Sequence, residues 1–159
     1  MSAPAALAEN GTQQWGPMLE LAVREVFELM LGSPVSVADS ALDAKLDVTS
    51  IVGLAGKLSG VLSVHSDDRG ATLMAARMLR ITPEQVGAHK ADALGEICNM
   101  VAGNFKIKIP GLGDGCLLSP PTVITGNNYQ LYSVRAAPAL RRGLMFEGSP
   151  VVVALRVDR

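Results

Sequence analysis

The stretch Asp92-Ala93-Leu94-Gly95-Glu96-Ile97-Cys98-Asn99-Met100-Val101-Ala102-Gly103-Asn104-Phe105 carries two patterns at once. Each residue of an α-helix turns about 100° from the one before it. With Glu96 set at zero, Leu94, Ile97, Cys98, Val101 and Phe105 fall between about 100° and 200°. Asp92, Asn99 and Gly103 fall at about 320°, 300° and 340°. The segment therefore reads as a helix that buries one face and presents Asp92, Glu96, Asn99 and Gly103 on the other. Such a face is either an ordinary solvated side or a working site. An Asn inside a helix costs about 0.5 kcal/mol relative to Ala, and a Gly about 1 kcal/mol. Both are poor local choices, which points to a requirement beyond folding. Gly103 removes a side chain where a second surface could approach. A carboxamide at Asn99 can both donate and accept hydrogen bonds, which suits it to orient a water. Glu96 can meet a cation on a partner. Spacing alone leaves the two readings, site and solvated face, both open.

Outward from that helix the chain divides into blocks. Upstream, Thr82-Pro83-Glu84-Gln85 reads as its start, giving one long helix to about Lys106. A helix over about Asp67–Arg80 precedes it, capped by Ser66 or Asp67. A first helix is expected over about Gln14–Leu31, where Leu19, Val23, Val26, Phe27 and Met30 recur at helical spacing before Gly32-Ser33-Pro34. Residues 1–13 read as a loose, flexible tail, with residues 14–159 as a single domain. An extended segment over Pro34–Asp43 and strands over Asp47–Ala55 and Gly60–His65 lie between the first two helices, the last two joined through Gly56-Lys57-Leu58-Ser59-Gly60 as a hairpin. After Gly111-Leu112-Gly113-Asp114-Gly115, strands are expected over Cys116–Thr125, Tyr129–Ala136, Gly143–Glu147 and Val151–Val157. Turns are expected at Gly126-Asn127-Asn128 and Glu147-Gly148-Ser149-Pro150. Segregated blocks of this kind predict an α+β fold, a mainly antiparallel sheet of about six strands packed against about three helices.

Composition narrows the function. The 159 residues are 48% apolar and 18% charged, so the chain folds rather than staying disordered. Aromatics are 4%, so the core is aliphatic. Lys plus Arg number 14 against 15 Asp plus Glu, leaving no basic excess to neutralise nucleic-acid phosphates. No apolar run is long enough for membrane insertion. The first residues lack a basic leader followed by a long apolar stretch, so no secretion signal is expected. His65 and His89 are the only histidines and lie at no metal-ligand spacing from Cys98 or Cys116. No metal site is read; the two cysteines read as small buried residues in a reducing compartment, with a disulfide between them as the alternative, and a cytoplasmic location is expected. Gly56-Lys57 lacks the four-residue gap of a phosphate loop, and Gly111-x-Gly113-x-Gly115 is not a dinucleotide fingerprint. His65 is expected to cap a sheet edge or the next helix. His89 is expected on the exposed face near Asp92, Arg141-Arg142 in a solvated loop, and Trp15 against the core.

The run from Asp92 through Glu96 and Asn99-Met100 to Gly103 resembles the signature helix of the CheX-like branch of the CheC/CheX/FliY family. Ser119-Pro120-Pro121-Thr122-Val123-Ile124-Thr125-Gly126 looks like the strand that carries that family's Pro, and Pro121 aligns with it. The resemblance spans roughly residues 15–157. It implies a phosphatase that hydrolyses the aspartyl-phosphate of a CheY-like response-regulator receiver domain. Asn99 would orient the water and Glu96 would pair with a receiver lysine, with Asp92, Gly103 and Pro121 against the partner. No cofactor of its own is implied, because the receiver supplies Mg²⁺. It also implies a homodimer. The Asp67–Arg80 helix has no Glu-x-x-Asn, so one site per chain is expected. The doubled Pro120-Pro121 shifts the family's spacing by about one residue, which bears on the strand register. The alternative is a non-catalytic receiver-binding or flagellar and signalling adaptor that uses the same helix face.

Overall fold

The computed structural model describes residues 3–126, 129 and 140–158, with side chains from residue 14 onward. Three α-helices are described: α1 (Ala3–Val26), α2 (Asp68–Leu79) and α3 (His89–Lys108). Seven strands are described: β1 (Ser36–Val37), β2 (Val48–Gly56), β3 (Gly60–Ser66), β4 (Cys116–Leu118), β5 (Thr122–Thr125), β6 (Leu140–Phe146) and β7 (Ser149–Val157). They form one sheet in the order β1-β6-β7-β3-β2-β4, and β5 pairs with β2 beyond β4. Every pairing is antiparallel. The α+β architecture expected from the block order is the one observed.

Strand alternation sends Val52, Leu54, Leu62, Val64, Val151, Val153 and Leu155 into the core shared with the helices. Trp15, Leu19, Val23 and Phe27 of the first helical segment meet them, as do Ile97, Cys98, Val101 and Phe105 of α3. Trp15 packs edge-to-face on Phe105, with ring centroids 6.3 Å apart. α2 is capped by Asp67, whose carboxylate accepts from the Gly70 amide at 2.7 Å. It is lashed to the β6–β7 turn by Arg77, whose guanidinium bonds both Glu147 carboxylate oxygens at 2.9 and 2.6 Å.

Several elements differ from expectation. α1 begins at Ala3, before the Gln14 start, in a segment rich in strong helix formers. Its last turn, Phe27–Leu31, widens into a π turn that ends at Gly32. Pro34–Asp43 is not one extended segment: two residues pair as β1, and Asp39–Asp43 winds into a 3₁₀ turn. The long helix from Thr82 is divided. Pro83–Gln85 forms a separate 3₁₀ turn, and Gly87, at φ +44°, breaks the chain before α3 starts. The expected strand over Tyr129–Ala136 and the turn at Asn127-Asn128 lie outside the described residues, apart from Tyr129 itself.

The Cys116–Thr125 strand is also divided, for a reason that concerns the site. Ile51 pairs with Thr122 and Leu54 with Leu118, so three residues, Ser119-Pro120-Pro121, face two, Val52-Gly53. This is a bulge that takes up one extra residue. Neither proline has an amide hydrogen to give a ladder. Ser119 does the bonding alone: its amide donates to the Gly53 carbonyl at 2.9 Å, and its hydroxyl accepts from the Gly53 amide at 2.8 Å. The doubled proline lies within this bulge.

Candidate functional site

α3 crosses the sheet with its apolar set beneath it. Leu94, Ile97, Cys98, Val101 and Phe105 are all fully buried, as the helical spacing requires. On the other side Asp92 and Glu96 are exposed, and Asn99 and Gly103 are half-buried. Among the described residues no hydrogen bond or ion pair engages the side chains of Asp92, Glu96 or Asn99. A carboxylate and a carboxamide one turn apart are thus both available to a partner.

Two walls flank this stripe. The β4–β5 bulge forms one. A Cβ placed on Gly95 would lie 3.1 Å from Pro121 Cγ and 3.7 Å from Val123 Cγ2, so the absence of a side chain at Gly95 is what seats Pro121 against the helix. Farther along, a Cβ on Gly103 would meet only Leu118 Cδ1, at 3.9 Å. The space above Gly103 is open. The second wall comes from α1 and α2. Ala93 packs with Ala75, Ala76 and Val86. Asn104 donates to the Ala22 carbonyl at 3.2 Å and to Glu25 Oε2 at 2.8 Å, and Lys108 pairs with Glu25 at 2.7 Å. At the N-terminal end Lys90 pairs with Asp68 of α2. The stripe itself is left bare while the helix beneath it is held on every other side.

Gly95 is the member that sequence reasoning missed. Its signal was present, a second interior Gly beside Glu96, but its helical angle falls at the edge of the stripe and nothing local showed which strand would lie there. Pro121, by contrast, was named, and the bulge brings it to the helix.

Cys98 lies on the buried face and donates weakly to the carbonyls of Ser50 and Leu62, at 3.5 and 3.7 Å. Burial pushes its thiol up to about 12, so it stays protonated and is no nucleophile. Cys116 is likewise buried and free. His89 is exposed near the start of α3. His65 does not cap an edge or a helix. It lies in β3 at the middle of the sheet and bonds Thr49 Oγ1 through Nδ1 at 3.0 Å and Ser63 Oγ through Nε2 at 2.8 Å. Arg141 and Arg142 are not in a loop but in β6. Arg142 pairs with Glu20 of α1 at 2.8 Å.

The sequence profile of the family described as Chemotaxis phosphatase CheX matches residues 48–141, from β2 through the start of β6 and including all of α3. The chain belongs to the CheX family. A curated CheX relative, the CheY-P phosphatase CheX of Thermotoga maritima, is 27% identical over 114 residues, covering 70% of this chain and 72% of that one. The crystal structure of the chemotaxis protein CheX from Vibrio vulnificus superposes with a TM-score of 0.77 at 19% identity, covering 91% of this chain and 96% of that one. The CheX of a CheX–CheY–BeF₃–Mg²⁺ complex from Borrelia burgdorferi superposes with a TM-score of 0.70 at 21% identity, covering 90% and 97%. The resemblance read from Asp92 to Gly103 is thereby borne out at the level of family and fold. No described helix is long and apolar enough to cross a membrane.

Proposed function

We propose that this protein hydrolyses the aspartyl-phosphate of a CheY-like receiver domain, with the bare stripe of α3 as the docking and catalytic surface. The observation that carries the reading is the unengaged pair Glu96 and Asn99 on a helix otherwise held from all sides, beside an open Gly103. The activity in the name of the Thermotoga maritima relative and the CheY in the Borrelia burgdorferi complex support it.

In this reading α3 lies against the phosphorylated site. The Asn99 carbonyl accepts one water hydrogen while its amide steadies the partner surface, which places the water oxygen in line with phosphorus. The water oxygen bonds to phosphorus as the bond to the aspartate oxygen breaks, giving inorganic phosphate and a free carboxylate. Catalysis of phosphoryl transfer is mostly positioning and charge stabilisation, which a carboxamide on a fixed helix can supply without a nucleophile of its own. Glu96 pairs with a receiver lysine and fixes the docking register. Pro121 forms the wall of the groove and Asp92 its N-terminal rim. In this reading the receiver supplies the Mg²⁺ and α3 supplies no metal ligand. A homodimer and a cytoplasmic location complete the reading.

The test is loss of phosphate from phosphorylated receivers encoded alongside this chain. Wild-type protein is expected to accelerate it, and Asn99→Ala to lower kcat by about a hundredfold or more with little change in KM. Phosphorylation-dependent binding without turnover would replace the phosphatase with the adaptor reading.

A further inference from the structure

The face of the sheet turned away from the helices holds a second site. Alternation places Thr49 and Ile51 of β2, Ser63 and His65 of β3, Val152, Ala154 and Arg156 of β7, and Arg141 of β6 on that side. Arg141 pairs across with Ala154, and Ala154 with Ser63, so one row runs from a guanidinium over a bare methyl to a hydroxyl. Because Ala154 is small, the row has a low floor. Around it a cavity of about 320 Å³ opens, lined by Thr49, Ser63, His65, Arg141, Arg156 and Tyr129, with Leu46 closing one side.

The chemistry of this lining is one-sided. Two guanidiniums face the cavity, and among the described residues neither pairs with a carboxylate, whereas Arg142, on the opposite face of the same strand, does. The remaining groups are a string of neutral donors and acceptors. Tyr129 bonds Thr49, Thr49 bonds His65, and His65 bonds Ser63. Burial and then the two guanidiniums hold the imidazole neutral down to about 4, so near neutral pH the described lining residues carry the arginine charges and no counter-charge. Guanidiniums present planar forks of donors that match carboxylate and phosphate oxygens, and the volume suits a small molecule.

We propose that this cavity binds a small dianion bearing carboxylate or phosphate oxygens, clasped by Arg141 and Arg156 over the Ala154 floor. The site is separated from α3 by the thickness of the sheet, and it stands whether or not the phosphatase reading does.

His65 and His89 are the only histidines, so their ring resonances provide a probe and an internal control in the full-length chain. Inorganic phosphate and malonate are titrated separately, with chloride holding ionic strength constant. The expected result is a saturable shift of the His65 ring with one or both anions, the more effective one naming the oxygen class, while His89 stays fixed. Arg156→Ala is expected to weaken binding at least about tenfold, the loss of one charge-assisted contact. Ala154→Leu keeps both arginines but fills the floor, and is expected to abolish the shift while leaving the circular dichroism spectrum unchanged. A His65 ring that does not respond, that moves linearly together with His89, or that responds equally in Ala154→Leu and wild type would overturn the proposal.

Discussion

Gly95 and Gly103 occupy the same helix and have opposite tolerances. At Gly103 an added methyl group meets only ordinary contact, so Gly103→Ala is expected to stabilise the fold by about 0.5–1 kcal/mol in denaturant unfolding. A long side chain there, as in Gly103→Met, is expected to fold normally yet raise the KM for the phosphorylated receiver. An unchanged KM would remove the clearance role. At Gly95 the methyl would press on Pro121 at 3.1 Å, so Gly95→Ala is expected to forfeit the propensity gain or to lower stability. His65 sets a pH dependence. Unfolded, its imidazole takes a proton near its ordinary 6.5. Folded, burial and then Arg141 and Arg156 bring that down to about 4, and among the described residues the Tyr129 hydroxyl is the other titratable group lining the cavity. Between those values the unfolded state holds more protons, so stability rises with pH. The contribution is complete above about 6.5 and is lost as pH falls toward about 4, on the order of 2 kcal/mol given the ring's partial exposure. His65→Gln is expected to flatten the stability profile across that window, and an unaltered slope would show another group responsible.

At the scale of elements, α3 is useful because it is pinned at its ends and flanks and left bare along one stripe. Glu25 of α1 is the main pin at the C-terminal half. Lys108 and Asn104 both bond it, and the Lys108 contact above all holds its carboxyl below the ordinary range. Glu25→Ala is expected to speed amide hydrogen exchange in the last two turns of α3 while leaving the turn around Asp92 unaffected, since Lys90–Asp68 holds that end separately. Uniform exchange along the helix would contradict two independent pins. The divided helix shows what local rules could and could not see. Thr82 and Gln85 do form the reciprocal bond of a helix start, Thr82 donating its amide to Gln85 Oε1 at 3.0 Å. The turn they start nonetheless ends at Gln85: Val86 packs into a cluster with Ala75, Ala76 and Ala93, and Gly87 in a left-handed conformation redirects the chain. Only the packing of α2 on α3 creates that cluster.

Across the whole molecule, the sheet carries one site candidate on each face. The helices bury one face; the 3₁₀ turn at Asp39–Asp43 covers only part of the other, with Ala41 and Leu42 packed against Gly143. The end of the first helical segment is tied to the β6–β7 hairpin by Phe27 and Phe146, edge-to-face at 5.2 Å and both fully buried. Phe146→Ala is expected to cost about 3–5 kcal/mol in chemical unfolding. Because Phe146 is remote from the stripe, kcat on the receiver is expected to be unchanged at temperatures where the variant remains folded. A fall in kcat there would mean that the sheet and α3 are coupled more tightly than their separate anchoring suggests.

The family followed from the resemblance of a motif; amino-acid order alone determined the amphipathic α3, its four outward-facing positions, the β2–β3 hairpin and the α+β class. These depend on periods of 3.6 and 2 and on side chains close in sequence, which local chemistry dictates. The tertiary structure decided which strand would lie against Gly95, that the doubled proline would become a bulge rather than a register error, and that His65, Arg141 and Arg156 would converge across three strands. Those outcomes depend on residues far apart in sequence meeting through sheet pairing, and no window of the chain contains both partners. That is why Arg141 reads as a solvated loop residue in isolation and stands in the wall of a cavity once β6, β7 and β3 are side by side.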